Sequence, residues 1–281
     1  MPLVNMKALL LDANNKNYAV GSFSIANMEM IIGAIKAAEE LKSPIILQIA
    51  EVRLKYSPLD IIGPLMIKAA EKAKVPVAIH FDHGLTIDNI KKALNLGFTS
   101  VMIDGSSLDI LENIKITNSV KKLAEDYEAS VEGEIGHVGG SEDGSKNIDI
   151  KVTNLDEAKR FLNATKIDAL AVAIGNSHGV YQGKPKLRFD ILTKLHENLK
   201  VPLVLHGGSG ISDEDFKKCA TMGIRKINIA TATFNRVRDC VKDLNNKLQE
   251  YEYFSLHEAE IQGAYQSVKS HIEIFGSKDK A

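Results

Sequence analysis

Short runs rich in Val, Ile, Leu and Ala alternate along the chain with longer stretches in which apolar residues recur at helical spacing. The short runs are Tyr18–Phe23, Ile45–Ile49, Val77–Phe81, Ser100–Ile103, Ser130–Ile135, Ala169–Ile174, Leu203–Leu205 and Lys226–Ile229. They hold too few polar residues for one face to meet water, which is the pattern of parallel strands covered by helices. Helices are predicted over Asn27–Leu41, Leu59–Lys74, Thr86–Leu96, Asp109–Tyr127, Asn154–Ala164, Asp190–Asn198 and Ser212–Met222, and from Thr233 towards the C-terminus. Ser57-Pro58 reads as an N-cap followed by a proline in the first turn. Gly97 reads as a C-terminal cap.

Eight strand–helix repeats in 281 residues predict an α/β fold, a closed (β/α)8 TIM barrel forming a single domain over residues 1–281 with a helical C-terminal extension. An open doubly wound sheet would carry a glycine-rich dinucleotide turn after its first strand. Here Ser24-Ile25-Ala26-Asn27 follows instead. One segment breaks the rhythm: residues 136–152 form a polar, glycine-rich loop after strand five, long enough to act as a mobile active-site lid. The net charge of −1 leaves no electrostatic footprint for nucleic acid or an anionic membrane. No apolar run approaches the ~20 residues that span a bilayer, and no basic segment leads into an apolar one at the N-terminus. Cys219 and Cys240 read as packed thiols of a reducing compartment. A cytoplasmic protein is expected.

In such a barrel the C-terminal ends of the strands share one face. Three apolar runs stop there on histidines, at His83, His178 and His206. Three imidazoles with an open fourth position are the pattern of a catalytic metal, with zinc, cobalt and iron all open. Three separately packed histidines are the alternative, and their coincidence at three strand ends argues against it. Asp82 precedes His83 and is a candidate acid/base, or else a carboxylate bonding loop amides. Asp104 and Glu134 end strands four and five, as partners of the ligands or alternate metal ligands. His80 and His137 read equally as packed or functional. His206-Gly207-Gly208-Ser209-Gly210 opens a turn before a helix, and Asn228-Ile229-Ala230-Thr231 follows strand eight. The loops after strands seven and eight are the recurring phosphate site of this fold, and glycines let backbone amides approach an anion. Gly179 could add a further amide.

Together these motifs resemble the class II, metal-dependent ketose-bisphosphate aldolases of the fructose- or tagatose-bisphosphate type. The resemblance rests on His80-Phe81-Asp82-His83, Val101–Ser106, Val131–Gly136, Gly139–Gly144, Leu170–Gly179, Leu203–Gly210 and Lys226–Thr231, and it spans essentially the whole chain. It implies that His83, His178 and His206 bind one zinc ion, other divalent ions being alternatives. Asp82 is then the acid/base at the oxygen on the cleaving carbon, and Glu142 moves the proton on the dihydroxyacetone phosphate carbon. Gly179, Gly207, Gly208, Ser209, Asn228, Ile229, Ala230 and Thr231 hold that substrate's phosphate, with a monovalent cation nearby. The implied reaction is reversible cleavage of a ketose 1,6-bisphosphate, fructose 1,6-bisphosphate first, to dihydroxyacetone phosphate and an aldehyde such as glyceraldehyde 3-phosphate. A homodimer or homotetramer is expected.

The chain departs from that pattern at the rim. Ser24 stands where the family often has asparagine, Ala50 where serine is common, and Val52-Arg53-Leu54 where the stretch is richer in glycine. Ala230 is similar to the tagatose branch. Tagatose bisphosphate, or another and unphosphorylated aldehyde, is therefore the alternative. Arg53 is a solvated rim residue or a ligand for the distal anionic group of the aldehyde half. A sugar-phosphate epimerase or lyase on the same barrel would not need Glu142. A non-catalytic subunit descended from an aldolase should have lost metal ligands, and all three histidines are present.

Overall fold

Eight parallel strands close into a barrel in chain order, each hydrogen-bonded to the next and β1 to β8, in a computed structural model that describes residues 2–140, 150–179, 183, 185–247 and 252–281. The strands are β1 (Val20–Ser24), β2 (Ile45–Ala50), β3 (Val77–Gly84), β4 (Ser100–Ile103), β5 (Ser130–Ile135), β6 (Ala169–Val172), β7 (Leu203–Leu205) and β8 (Ile224–Ile229). Between them run α2 (Met28–Glu40), α3 (Leu59–Lys72), α4 (Ile87–Leu96), α5 (Ile110–Glu125), α6 (Leu155–Thr165), α7 (Phe189–Asn198) and α8 (Asp213–Thr221). After β8 the chain continues in α9 (Thr231–Lys247) and α10 (Tyr253–Phe275). The (β/α)8 barrel expected from the sequence is the fold. Among the described residues no helix is long and apolar enough to cross a membrane.

The helix signals work through identifiable hydrogen bonds. Thr86 accepts from the amide of Asn89, Asp109 from Leu111 and Glu112, and Ser212 from Asp215. Gly97 ends α4 at φ 101°, a left-handed conformation that favours glycine. Ser57 is a correction: it caps nothing, and its hydroxyl donates to the carbonyl of Ala26 while Pro58 occupies the N-cap position. The predicted sixth strand also ends early, at Val172 rather than Ile174.

One helix escaped the sequence reading. α1 (Met6–Lys16) precedes the barrel, and its buried Met6, Leu9, Leu10 and Ala13 join Val20, Ile46, Ala78, Ala169, Ala171 and Val204 in an apolar cluster. These strand residues alternate with Phe23, Leu47, Ile79, Leu170 and Leu205, which pack under the outer helices. The period of two assigns the first set to the lumen, so α1 plugs its N-terminal mouth. Higher in the lumen the same alternation brings Ser22, Gln48, His80, Asp82, Glu132, Lys226 and Asn228, all buried. On the outside α10 lies against α2, closely enough that a Cβ on Gly33 would sit 2.4 Å from the carbonyl oxygen of Ile261. Cys219 and Cys240 form no disulfide, and burial pushes the Cys219 thiol up to about 12.

Asp168 pins the plugged end. Its carboxylate accepts from the amide of Val131 at 2.9 Å, from Lys121 Nζ at 2.9 Å and from Lys7 Nζ at 3.0 Å. Burial alone would raise its pKa, but Lys121, the Val131 amide and Lys7 together hold it below the usual aspartate value. A folded-state pKa below the unfolded one adds stability above the unfolded pKa and loses it as pH falls through the folded value. Lys7 is more than half exposed, so its share is screened by solvent. Asp168→Asn is expected to destabilise by about 1–3 kcal/mol at neutral pH. Urea unfolding checks this, and the gap to the parent protein should narrow as pH falls below about 4.

Candidate active site

Alternation along a strand would send Asp82 and His83 to opposite faces. A register shift between Phe81 and Gly84 interrupts β3 there, and His83 sits at φ 42°. A non-glycine residue held in that conformation stores strain that the surrounding structure must maintain. The bulge lets neighbouring side chains serve one site, Asp82 from the lumen and His83 from its upper rim.

His206 follows β7 directly. His178 arrives differently from the sequence expectation, on a loop beyond the end of β6. Asn176 ties that loop down: its side-chain oxygen accepts from the Ile174 amide at 2.7 Å and its nitrogen donates to the His206 carbonyl at 3.0 Å. Gly207, at φ 61°, makes the closeness possible, since a Cβ there would lie 2.3 Å from the Ser177 carbonyl oxygen. The His178 amide also donates to Gly139 at 2.7 Å, joining the loop to the segment after β5.

His83, His178 and His206 thereby offer one ring nitrogen each, all within 4.8 Å of one another. Their ring centroids lie 4.6–5.9 Å apart. Nε2 of His83 and Nδ1 of His206 are 2.8 Å apart. The far side of each ring meets a carboxylate: His83 Nδ1 lies 2.8 Å from Asp104 Oδ2, and His206 Nε2 lies 2.7 Å from Glu132 Oε1. Asp104 in turn accepts from the amide and hydroxyl of Ser106. Burial, together with the charge of His83, pushes the His206 pKa down to about 4. A neutral His206 that donates Nε2–H to Glu132 turns a lone pair towards His83, and His83 donating Nδ1–H to Asp104 does the same in return. Two lone pairs at that separation repel unless a cation lies near both, so the donor set fits a divalent metal ion. Glu134 adds a fourth donor. Its Oε1 accepts from the Val138 amide, while Oε2 is buried, has no hydrogen-bond partner and lies 3.6 Å from His206 Nδ1. Burial and the Asp104 charge raise Glu134 to about 8, an environment that favours a neutral carboxyl until positive charge arrives.

Asp82 is held by two amides, Gln48 Nε2 at 3.0 Å and Asn228 Nδ2 at 3.1 Å. Burial would raise its pKa, but His83, His80, His206 and Lys226 hold it well below the usual aspartate value. An ionised carboxylate that is desolvated, oriented and beside a metal-competent cluster is equipped to accept a proton. The expected phosphate group is also gathered at one place: Gly207–Ser209 after β7, Asn228–Thr231 at the junction of β8 with α9, and Gly179 facing open space. Some of its donors have internal partners. The Gly208 amide donates to the Asn228 carbonyl at 3.3 Å, Ser209 Oγ accepts from the Ala232 amide, and the Asn228 side chain serves Asp82. The Asn228 side-chain oxygen is buried without a partner. Glu142 lies outside the described residues, as does most of the expected loop.

Three buried participants were missed in the sequence: Glu132, Gln48 and Lys226 as a partner of Glu132. The signal was a polar residue at every second position of an otherwise apolar strand, as in Glu132 and Glu134. His80 is packed, with Nδ1 2.6 Å from Ser100 Oγ and Nε2 unpartnered between Asp82 and Glu132. His137 lies 3.0 Å from Ser106. A surface cleft of about 520 Å³ opens at the other end of the barrel between α1, α6 and α7. Its charged lining is chiefly lysine, and none of the histidines reaches it.

Comparison with known proteins agrees with this geometry. The family described as "Fructose-bisphosphate aldolase class-II" matches residues 4–280. The 6-phospho-5-dehydro-2-deoxy-D-gluconate aldolase of Halalkalibacterium halodurans is 39% identical, over 100% of this chain and 99% of its own. The sulfofructosephosphate aldolase of Alkalicoccus urumqiensis is 37% identical over the same shares. The crystal structure of the YdjI aldolase from Escherichia coli K12 superposes with a TM-score of 0.89 at 34% identity, covering 99% of both chains. The chain belongs to the class II fructose-bisphosphate aldolase family, and its activity is that of an aldolase, a carbon–carbon lyase.

Proposed function

We propose that the protein reversibly cleaves a ketose phosphate to dihydroxyacetone phosphate and an aldehyde, with fructose 1,6-bisphosphate as the first candidate and tagatose bisphosphate as the alternative. The observation that carries this reading is the meeting of three histidine nitrogens beside an ionised, doubly anchored Asp82. His83, His178 and His206 would hold one zinc ion, with Glu134 able to join them and Asp104 fixing His83. A divalent cation bound there supplies Lewis-acid stabilisation of the negative charge that carbon–carbon cleavage leaves on the substrate's oxygens.

The remaining chemistry belongs to side chains. Asp82 takes the hydroxyl proton from the cleaving carbon as the bond parts, and returns it in condensation. Gln48 and Asn228 keep its oxygens aimed through that cycle. Glu142, from the loop after β5, moves the proton on the dihydroxyacetone phosphate carbon. The turn Gly207–Ser209, the start of α9 and Gly179 hold the phosphate, where a monovalent cation would offset its charge.

The two relatives named above act, by their names, on substrates with different distal ends. The rim departures at Ala50 and Arg53 leave the same choice open here. A cytoplasmic homodimer or homotetramer completes the proposal. Exposed Met28 and Ile32 on α2, Ile61 and Leu65 on α3, and Tyr253 and Phe254 on α10 support assembly through adjacent elements.

The decisive experiment measures dihydroxyacetone phosphate release from fructose 1,6-bisphosphate, tagatose 1,6-bisphosphate, sulfofructosephosphate and 6-phospho-5-dehydro-2-deoxy-D-gluconate. One of them should be cleaved, the activity should vanish after exhaustive chelation, and zinc should restore it. Cleavage of none by metal-loaded protein, or cleavage that survives chelation, would overturn the reading. Asp82→Asn should lower kcat by about 10²–10⁴ while bound metal stays at one ion per chain. Glu142→Gln should slow exchange of the dihydroxyacetone phosphate carbon-bound proton with solvent by about the same factor, again without metal loss. Unchanged exchange would favour a lyase or epimerase that does not use this glutamate.

A further inference from the structure

Beneath the three histidines lies an ion pair that the proposed chemistry does not use. Glu132 stands on β5 and Lys226 on β8, strands that are not neighbours in the barrel. Their side chains meet across the lumen, Lys226 Nζ donating to Glu132 Oε2 at 2.8 Å, and both are fully buried. The other oxygen, Oε1, lies 2.7 Å from Nε2 of His206, also fully buried. A carboxylate paired with lysine offers only acceptors, so the hydrogen between it and His206 must sit on Nε2. That choice turns Nδ1 of His206 towards Nε2 of His83, 2.8 Å away. His83 is set in the opposite sense, because its own carboxylate, Asp104, meets Nδ1.

We propose that Glu132 is a positioning residue that fixes both the tautomer and the ring orientation of His206. This histidine then offers Nδ1 where His83 offers Nε2. Lys226 is the counter-charge that keeps Glu132 an obligate acceptor. The inference rests on the metal reading above for its purpose, and on the hydrogen-bond geometry for its content.

A purely architectural ion pair is the competing account, and the surroundings argue against it. Removing two charges from water is expensive, and apolar residues of similar volume often serve a core equally well. The next layer down shows that this barrel can fill its lumen with Val20, Ile46, Ala78, Ala169, Ala171 and Val204. His80 is buried beside the pair, its Nε2 3.8 Å from Glu132 Oε2 and 3.7 Å from Asp82 Oδ1, but that nitrogen makes no hydrogen bond and Nδ1 is spent on Ser100.

The test reads the tautomer directly. In metal-free wild-type protein, long-range proton–nitrogen correlation should show His206 with its hydrogen on Nε2, the signal being assigned by its loss in His206→Gln. Glu132→Gln places an amide that can donate as well as accept, so the Nδ1–H form should appear. Cobalt(II) affinity should fall about 10–100-fold, with a changed visible spectrum of the bound cobalt. Because Glu132→Gln leaves Lys226 without its partner, the double variant E132Q/K226M removes both charges together and should show the same loss of tautomer preference in a folded barrel. Retention of the Nε2–H form and of wild-type cobalt affinity in either folded variant would overturn the proposal. Failure of the wild-type protein to bind cobalt would instead sink the metal reading, since the tautomer measurement needs no metal.

Discussion

Two imidazole nitrogens, Nε2 of His83 and Nδ1 of His206, face each other at 2.8 Å at the top of the barrel. Each ring is backed by a carboxylate on its far side, so the facing atoms are both acceptors when each neutral ring donates to its own carboxylate. Nothing in an apolar core would select that arrangement. It becomes favourable only when positive charge sits between the rings. The backing carboxylates, the bulge in β3, the glycine under Ser177 and the Asn176 clamp all serve to hold these nitrogens together. The closed barrel supplies the frame, because strands distant in sequence end at a common face.

The same lumen keeps two carboxyl groups in opposite states. Asp82 is buried, yet neighbouring positive charge and two side-chain amides keep it ionised. Glu134 is equally buried, but it faces the negative Asp104 and leaves one oxygen without a hydrogen-bond donor, so its pKa rises to about 8. Environments that push paired titratable groups apart are how one site carries both a base and a neutral donor. The difference arises from which strand each group stands on. β3 turns Asp82 towards β2 and β8, while β5 turns Glu134 towards the histidines.

Much of this was legible in the sequence. Eight apolar runs were found at nearly their true bounds because outward residues such as Phe23, Leu47, Ile79 and Leu205 pack under helices and tolerate little else. Three histidines and Asp82 were legible because they interrupt or end those runs. α1 was missed although Met6, Leu9, Leu10 and Ala13 follow helical spacing; nothing local distinguishes a plug from a surface helix. Glu132 and Lys226 were missed for a different reason. Neither has its partner on its own strand, and only closure of the barrel brings β5 and β8 within reach of one another. His178 was read as a strand-tip residue, since the sequence does not show that the strand stops at Val172 and hands over to a clamped loop.

The rim departures divide once their contacts are known. Ser24 is buried, and its hydroxyl accepts from Gln48, whose same nitrogen holds Asp82. It therefore belongs to the support of the proposed base, and the asparagine it stands in for cannot be read simply as a lost substrate contact. Ala50 is buried beside Asp82 in the β2–β3 register, and its methyl group brings no hydroxyl to that place. Arg53 lies further out, its guanidinium 5.5 Å from the centre of the Phe234 ring in the first turn of α9. That stacking fixes a positive charge on the same rim. Around Asp82 the lumen contacts are shared, so exchange of Gln48 disturbs more than one partner. Under the proposed reaction, Ala50 and Arg53 are where discrimination among aldehydes would fall.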